Sequence, residues 1–414
     1  MTLSPKMPAI PAVVACVLAL GASTTRAQTI AESSVTRAAD GRVVISWSAT
    51  GPVDVYVGNA PDLDAKQMHL ISDDDADGRH EYQVSDRARP YFLLRAERDG
   101  TTLRTAERVL LLDAGSNFRD VGGYATSDGR RVRWGRIYRT GAMPQLTQRD
   151  YELLGQLGIR VFCDLRSVEE RELAPTRFER VKGARYVAVD YPGSAIFGNL
   201  VGRDSAVAVN DDPRRDANAQ RNLYRQWPLS LAPQYKEIFA ALLAGEAPLA
   251  FNCSAGQDRP GVATALVALG SAAGYRVWVT SRDEAKRAKA IDLGADQAFE
   301  SGARVLTALG VPRATILEDY HLSTVHRRPE YERGTGDYEA LAATNIVARF
   351  YAESAQRGPA ALKPQPLYDA SGKARLAATF DEIERRWGRV ERYLEEVLDV
   401  DANDVARLRA RYLE

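Results

Sequence analysis

Between residues 28 and 112 the apolar positions fall in short runs separated by turn residues. Val43-Val44-Ile45-Ser46-Trp47, Val53-Asp54-Val55-Tyr56-Val57 and Tyr91-Phe92-Leu93-Leu94-Arg95-Ala96 are rich in β-branched, aromatic and other apolar residues. Asp40-Gly41, Asp77-Gly78 and Asp99-Gly100 stand around them as turn dipeptides. Such punctuation predicts a small all-β sandwich over residues 28–112. From about residue 113 the pattern becomes mixed. Apolar runs at 160–164, 186–190 and 248–253 read as strands, and they alternate with helix-like segments such as 148–158 and 234–244. That predicts an α/β domain over 113–414, its central sheet flanked by helices. Residues 379–397 and 402–413 have the spacing of surface helices. Residues 194–220 are polar and charged without clear period, which fits a lid or a disordered insertion.

The chemistry gathers after the run at 248–253. Cys253-Ser254-Ala255-Gly256-Gln257-Asp258-Arg259 holds a cysteine and an arginine with five residues between them, ahead of a small-residue, helix-like stretch. A loop of this length can curl until its backbone N–H groups point at one anion, and the positive end of the following helix adds to the field. Cys253 at its start is expected to have a lowered pKa and to act as a thiolate nucleophile. Arg259 offers a planar fork for two phosphoryl oxygens. Gly256 allows close approach of the backbone. Taken singly, Cys253 would read as a buried thiol, Arg259 as an ion-paired surface group and Asp258 as a helix N-terminal charge.

Together, Cys253 to Arg259 resemble the phosphate-binding loop of the cysteine-dependent protein tyrosine phosphatase superfamily. Four further motifs resemble its bacterial tyrosine/lipid phosphatase branch. They are Asn117-Phe118-Arg119-Asp120-Val121-Gly122-Gly123-Tyr124, Gly135-Arg136-Ile137-Tyr138-Arg139-Thr140-Gly141, Asp164-Leu165-Arg166-Ser167 with Glu169, Glu170 and Arg171, and Gly310-Val311-Pro312 through Glu318-Asp319-Tyr320 to Ser323. The likeness covers roughly residues 113–267 and 306–414.

The resemblance implies a phosphomonoesterase with a phosphocysteine intermediate. Cys253 would attack phosphorus in line, while Arg259 and the amides of Ser254, Ala255, Gly256 and Gln257 stabilise the equatorial oxygens. An acid would protonate the leaving oxygen and then activate water. Asp258 is the first candidate for that acid. Asp190, in Val189-Asp190-Tyr191-Pro192, is the second and Asp164 the third. The alternative for Asp164 is an ion pair with Arg166 or Arg259 that orients the loop. Asp319, Tyr320, His321 and Arg327-Arg328-Pro329 are expected at the substrate rim.

Three residues depart from the commonest family pattern. Asn252 stands where histidine is usual, Gln257 where the lipid-active relatives have lysine, and Pro260 where a hydroxyl residue is usual. The loss of a cation at 257 favours a phosphotyrosine-like monoester over polyanionic inositol phosphates. Phosphoserine/threonine and lipid esters stand behind it. The substrate is then a phosphorylated protein or a small phosphomonoester, and no cofactor or metal is needed. The competing expectation is an inactive phosphate-recognising module.

An insert at about 268–305 would interrupt the helix behind the loop, which otherwise continues at Leu306-Thr307-Ala308-Leu309-Gly310. It holds a strand-like Gly274-Tyr275-Arg276-Val277-Trp278-Val279-Thr280-Ser281-Arg282, a helix signature at 283–290 and, at 293–299, a helix C-terminus leading to another strand. This piece resembles the middle of the nucleotide-binding domain of medium-chain alcohol dehydrogenases and quinone reductases. A working cofactor site is not expected, because the preceding Gly261-Val262-Ala263-Thr264-Ala265-Leu266-Val267 lacks the glycine-rich turn a pyrophosphate requires. Residues 28–112, with Trp47 at a core-strand position, resemble a fibronectin type III-like module.

Acidic and basic residues balance at 55 each and no basic tract occurs, so nucleic acid is not an expected partner. Histidines 69, 80, 321 and 326 are scattered without metal spacing. A monomer is expected. Lys6, the apolar stretch 9–21 and Thr25-Arg26-Ala27 read as an export signal (residues 1–27) cleaved after Ala27. That places the mature protein in the periplasm or outside the cell. Val13-Val14-Ala15-Cys16 gives lipoprotein anchoring at Cys16 as the second reading, and no stretch is long enough to span a membrane. The mature chain keeps Cys163 and Cys253, and a protective disulfide between them is weighed against a buried Cys163 thiol.

Overall fold

The computed structural model describes residues 30–84, 89–198, 213–268, 278–280, 297–299, 310–358, 363–364, 367–368 and 372–414. The export signal and Cys16 therefore lie outside the described residues. Seven strands open the fold: β1 (Ile30–Arg37), β2 (Val43–Ala49), β3 (Val53–Gly58), β4 (His69–Asp75), β5 (Arg79–Tyr82), β6 (Tyr91–Ala96) and β7 (Thr102–Ala106). They form antiparallel sheets in the orders β1-β2-β5 and β4-β3-β6-β7. The inward positions of both, among them Val43, Ile45, Trp47, Val53, Val55, Phe92 and Leu94, close into one core. Alternation is clearest along β2, where Val43, Ile45 and Trp47 point to the core, since every second side chain points the same way.

The second sheet has the order β11-β10-β12-β9-β8, with β8 (Arg119–Asp120), β9 (Ile137–Thr140), β10 (Val161–Asp164), β11 (Arg185–Ala188) and β12 (Leu249–Asn252). The strands from β9 to β12 run parallel and only β8 is antiparallel. Every residue of β9, β10 and β12 is buried, as a parallel strand covered on both faces requires. Tyr138, Phe162 and Ala250 turn to one side. There they meet α1 (Gln148–Gln156). Ile137, Val161, Cys163, Leu249 and Phe251 turn to the other.

That second side carries the larger core. The chain also forms α2 (Val168–Leu173) and α3 (Ser194–Phe197), whose Leu173, Ile196 and Phe197 pack with Val347 and Ala348 in a smaller cluster. The larger core is covered by α4 (Pro213–Ser230), α5 (Ala232–Ala244) and α6 (Asp258–Ala268). Farther on come α7 (Arg313–His326), α8 (Tyr338–Leu341), α9 (Ile346–Gln356), α10 (Ala377–Trp387), α11 (Val390–Leu398) and α12 (Ala402–Tyr412).

Several expectations are corrected here. The stretch 379–397 is two helices, α10 and α11, broken at Gly388, whose φ is +74°. These are not merely surface helices. Phe380, Ile383, Val390, Tyr393 and Leu394 are each 0% exposed and complete the core under α4–α6. Part of 194–220 is helical, in α3 and the start of α4, and residues 199–212 lie outside the described residues. The helix behind the loop forms over Asp258–Ala268 as α6, packed on β9, β12, α4 and α7, and its expected continuation at 306–309 lies outside the described residues. Within the insert, β13 (Trp278–Thr280) pairs in parallel with β14 (Gln297–Phe299). The helix signature at 283–290 lies outside the described residues.

Candidate active site

The loop after β12 is held open from outside by its own carbonyls. Ala142 N–H donates to Ser254 O at 2.9 Å. Asn117 Nδ2 donates to Ala255 O at 3.0 Å. Arg139 Nη2 donates to both Gly256 O and Gln257 O at 2.9 Å. With four consecutive carbonyls drawn outward, the amides between them are left to the concave side, and Ala255 N–H is turned to the Cys253 sulfur. The N–H groups of the first turn of α6 lack helical acceptors and add their partial charge at the same point.

Gly256 closes the curl with φ +64°. A Cβ there would lie 2.4 Å from Gly141 N and Thr140 C, a distance no substituted residue could accept.

The anchors are themselves fixed. Asp319, 1% exposed, receives Arg119 Nε at 3.0 Å, Arg139 Nη1 at 2.6 Å and Tyr124 O–H at 2.9 Å. Burial opposes its charge, but Arg119 and Arg139 outweigh it and hold the carboxyl well below the usual range. Burial and the neighbouring Arg119 push Arg139 down to about 10, so it is still a cation at neutral pH.

Cys253 is 1% exposed at the floor of a cavity of about 250 Å³. Burial pushes its thiol up. Arg259 and the Ala255 amide pull it down, while the Asp258 and Glu170 carboxylates push it further up. The net direction is upward, opposite to the lowered pKa expected from the loop. The first reason is burial of the sulfur, and the Asp258 and Glu170 carboxylates add to it against Arg259.

Arg259 Nη1 and Nη2 donate to the two oxygens of Glu170, each at 2.7 Å. Nη1 also reaches Leu165 O at 3.0 Å and Tyr191 Oη at 2.8 Å. Among the described residues Nε has no acceptor, so the Nε/Nη2 edge of the fork remains for a ligand. Burial works against the guanidinium charge and Glu170 overcomes it, raising its pKa. Glu170 in turn is lowered by Arg259 against its own burial, and accepts Ser254 Oγ at 2.5 Å. Its position follows from sequence. Ser167 caps α2 and Glu170 closes the capping box, with Ser167 N donating to Glu170 Oε2 at 2.9 Å.

The pattern of the tyrosine phosphatase family matches residues 110–276 and 301–414. The chain belongs to the tyrosine phosphatase family. It is a hydrolase of that family. A protein of Cupriavidus necator named as a candidate tyrosine-protein phosphatase is 29% identical over 310 residues, which cover 73% of this chain and 88% of that protein. A tyrosine-protein phosphatase of Nostoc commune is 28% identical over 130 residues, covering 31% of this chain and 41% of its own. Residues 277–300, with β13 and β14, fall between the matched blocks.

The three candidate acids of this phosphatase sit in different places. Asp258 lines the cavity beside Cys253. Its Oδ1 accepts Gln257 Nε2 at 3.0 Å and the Tyr224 hydroxyl, which also meets Tyr320 Oη at 2.5 Å. Asp190 is on the outside, its side chain 77% exposed and paired with Arg171. Asp164 is buried and bound to Arg166 Nε and Nη2, at 2.9 and 2.7 Å, so the ion-pair alternative describes its geometry. Asn252 Nδ2 reaches Asp164 Oδ1 at 3.3 Å, while its own buried Oδ1 has no partner among the described residues. Pro260 falls in the first turn of α6, where no N–H is required.

Of the residues expected at the rim, Arg327 and Pro329 line the cavity. Asp319 and Tyr320 instead lie buried behind the loop, His321 stacks on Tyr368, and Arg328 binds the carbonyls of Leu112 and Gly115. Cys163 is a free, buried thiol pushed up to about 12 by burial. Its strand neighbour on β12 is Phe251.

Asn117, Arg139 and Glu170 stand inside the sequence motifs without an expected part at the site, and Tyr224 stands in none of them. The capping box was a usable signal for Glu170. None existed for Tyr224, which meets Asp258 from a different helix.

Proposed function

We propose that this hydrolase cleaves phosphotyrosine-like monoesters through a phosphocysteine, with Cys253 as nucleophile. The observation that carries the reading is the loop itself. Its carbonyls are held by Asn117 and Arg139, Cys253 and Arg259 line the same cavity, and Glu170 takes the Nη1/Nη2 edge of the guanidinium. A bound phosphoryl group would find preorganised donors on every equatorial oxygen, the arrangement that most lowers a barrier with developing charge.

Asp258 serves as the acid in this reading. One of its oxygens takes Tyr224 and Gln257, which leaves Oδ2 to protonate the leaving oxygen and later to accept a proton from water. The apolar wall of Ile196, Phe197, Phe350 and Tyr351 suits an aryl ester better than a polyhydroxylated ring.

Hydrolysis of p-nitrophenyl phosphate by the purified protein tests this. Cys253→Ser is expected to abolish turnover. Asp258→Asn should lower kcat by about 10²-fold or more, whereas Asp190→Asn should leave it within about twofold. Turnover that survives Cys253→Ser would overturn the reading.

A phosphate-recognising module is the second reading, favoured by the departures at Asn252, Gln257 and Pro260 in and beside the loop. Retained phosphate binding without turnover would select it.

The apolar stretch 9–21 and Thr25-Arg26-Ala27 support export with cleavage after Ala27, and a secreted form beginning at Gln28 is the expected product. No helix among the described residues is long and apolar enough to cross a membrane. The strand orders β1-β2-β5 and β4-β3-β6-β7 support a fibronectin type III-like reading of the first module.

A further inference from the structure

The sequence places a neutral glutamine at 257, and the fold brings a cation to it. Arg327, just past the end of α7, donates from Nη1 to Gln257 Oε1 at 3.1 Å. Its other edge is fixed by Glu332, with Nε at 3.1 Å and Nη2 at 2.8 Å. Glu332 is itself held by Ser116 Oγ at 2.7 Å. The Arg327 side chain is 16% exposed and lines the cavity that holds Cys253. Arg333 and Arg375 line the same cavity, and Arg375 Nε is buried with no partner among the described residues.

An arginine clamped along one edge is oriented before any ligand arrives, so little rotamer freedom remains to be lost. Its contact to Gln257 is a bond to a neutral oxygen. An anionic ligand oxygen would replace it with a charge-assisted bond of roughly twice the strength. Arg327 lines the same cavity as Cys253, Asp258 and Arg259, so an anion held there can belong to the same ligand as the phosphoryl group.

We propose that Arg327, with Arg333 and Arg375, forms a subsite for a second acidic group, so that the preferred substrate is a phosphotyrosine peptide with a carboxylate side chain next to the phosphotyrosine. The inference rests on the phosphatase reading above and deepens it. The charge expected to be lost at Gln257 is thereby restored from another part of the chain. The aromatic wall keeps the preference on an aryl ester.

The test uses two phosphotyrosine peptides that differ only by Asp or Asn beside the phosphotyrosine. Binding to the Cys253→Ser protein is measured by calorimetry, and kcat/KM is measured with the intact enzyme. The Asp peptide is expected to be preferred by about fivefold or more, through KM, with the preference shrinking as salt rises. In Arg327→Gln the ratio between peptides should fall to about one, and Arg327→Lys should restore part of it. A ratio of one in the unaltered protein, or a preference that persists in Arg327→Gln, would overturn the subsite. Faster hydrolysis of a bisphosphorylated inositol ester than of the Asp peptide would overturn it as well. Preferential binding without turnover of any ester would instead remove the phosphatase reading and leave the subsite standing.

Discussion

Arg259 and Glu170 meet along two parallel hydrogen bonds of 2.7 Å, with side chains 6% and 1% exposed. The pair fixes the plane of the guanidinium, and so fixes where its open edge faces. It also places a carboxylate close enough to Cys253 to oppose the thiolate.

Glu170→Gln keeps the shape and removes the charge. Two effects with opposite consequences are expected. The fork loses its ionic partner, so kcat should fall by about 10-fold to 10²-fold. The thiol loses a neighbouring anion, so its titration should move to lower pH. The direction follows from the shift. In the unaltered protein the Cys253 thiol is pushed up, so alkylation should accelerate only as pH passes the ordinary thiol range. In the variant the acceleration should begin earlier. Rates of iodoacetamide alkylation across pH, read beside turnover, check both. An unmoved midpoint would show that the sulfur does not feel this carboxylate.

Gly256→Ala isolates loop geometry from charge. The added methyl would meet Gly141 N and Thr140 C at 2.4 Å while forcing φ +64° on a substituted residue, a backbone strain of about 1–3 kcal/mol before any clash. The loop must open, its amides diverge, and turnover is expected to fall by about 10²-fold or more. Vanadate affinity should fall with it, with circular dichroism unchanged. Near-normal vanadate binding would mean that the amides do not form the anion cradle.

Much of this was legible along the chain, for a specific reason. Alternation in 43–47 and 53–57, and the strand-to-helix change around Cys253, are local signals, and the elements formed within a residue or two of where they were read. The loop residues were readable because five intervening positions fix a curl. What could not be read was set by long-range pairing. Arg139 reaches the loop across the sheet from β9, Tyr224 meets Asp258 from α4, and Arg327 meets Gln257 across 70 positions. The split of 379–397 was missed because Gly388 lies within a continuous amphipathic pattern, whose period outweighed one glycine.

Asp319→Asn should damage stability and turnover together. Asp319 holds Arg119 and Arg139 with no water access, and breaking such a pair on one side costs about 3–5 kcal/mol. Its folded pKa is depressed, so its contribution is complete above the ordinary carboxylate value of about 4 and is lost as pH falls from there toward the folded value. Urea unfolding should therefore show a large gap between the two proteins at pH 7 that narrows below about pH 4. A gap independent of pH would assign the loss to packing rather than charge. Turnover should fall as well, because Arg139 carries two of the loop carbonyls.

Arg89 decides whether the first module is a spacer or part of the enzyme's foundation. It comes from the segment before β6 and buries its guanidinium against Asp120 Oδ2 at 2.6 Å, Tyr138 Oη at 2.7 Å and Glu107 O at 2.9 Å. Its side chain is 3% exposed and that of Asp120 is 0% exposed. Asp120 also receives the amides of Gly122 and Gly135, each at 2.7 Å. Its neighbour Arg119 leads to Asp319, and through Arg139 to the loop. Arg89→Met should leave a buried carboxylate without its cation and lower stability by about 3–5 kcal/mol. Arg89→Met with Asp120→Asn removes both charges and should be less damaging than the sum of the single changes. Melting temperatures of the four proteins in the cycle measure the coupling, and turnover of each shows whether the loss reaches the loop. Additive single effects with normal turnover would mean that the module is only attached, whereas strong coupling with lost turnover would make it a working part of the phosphatase.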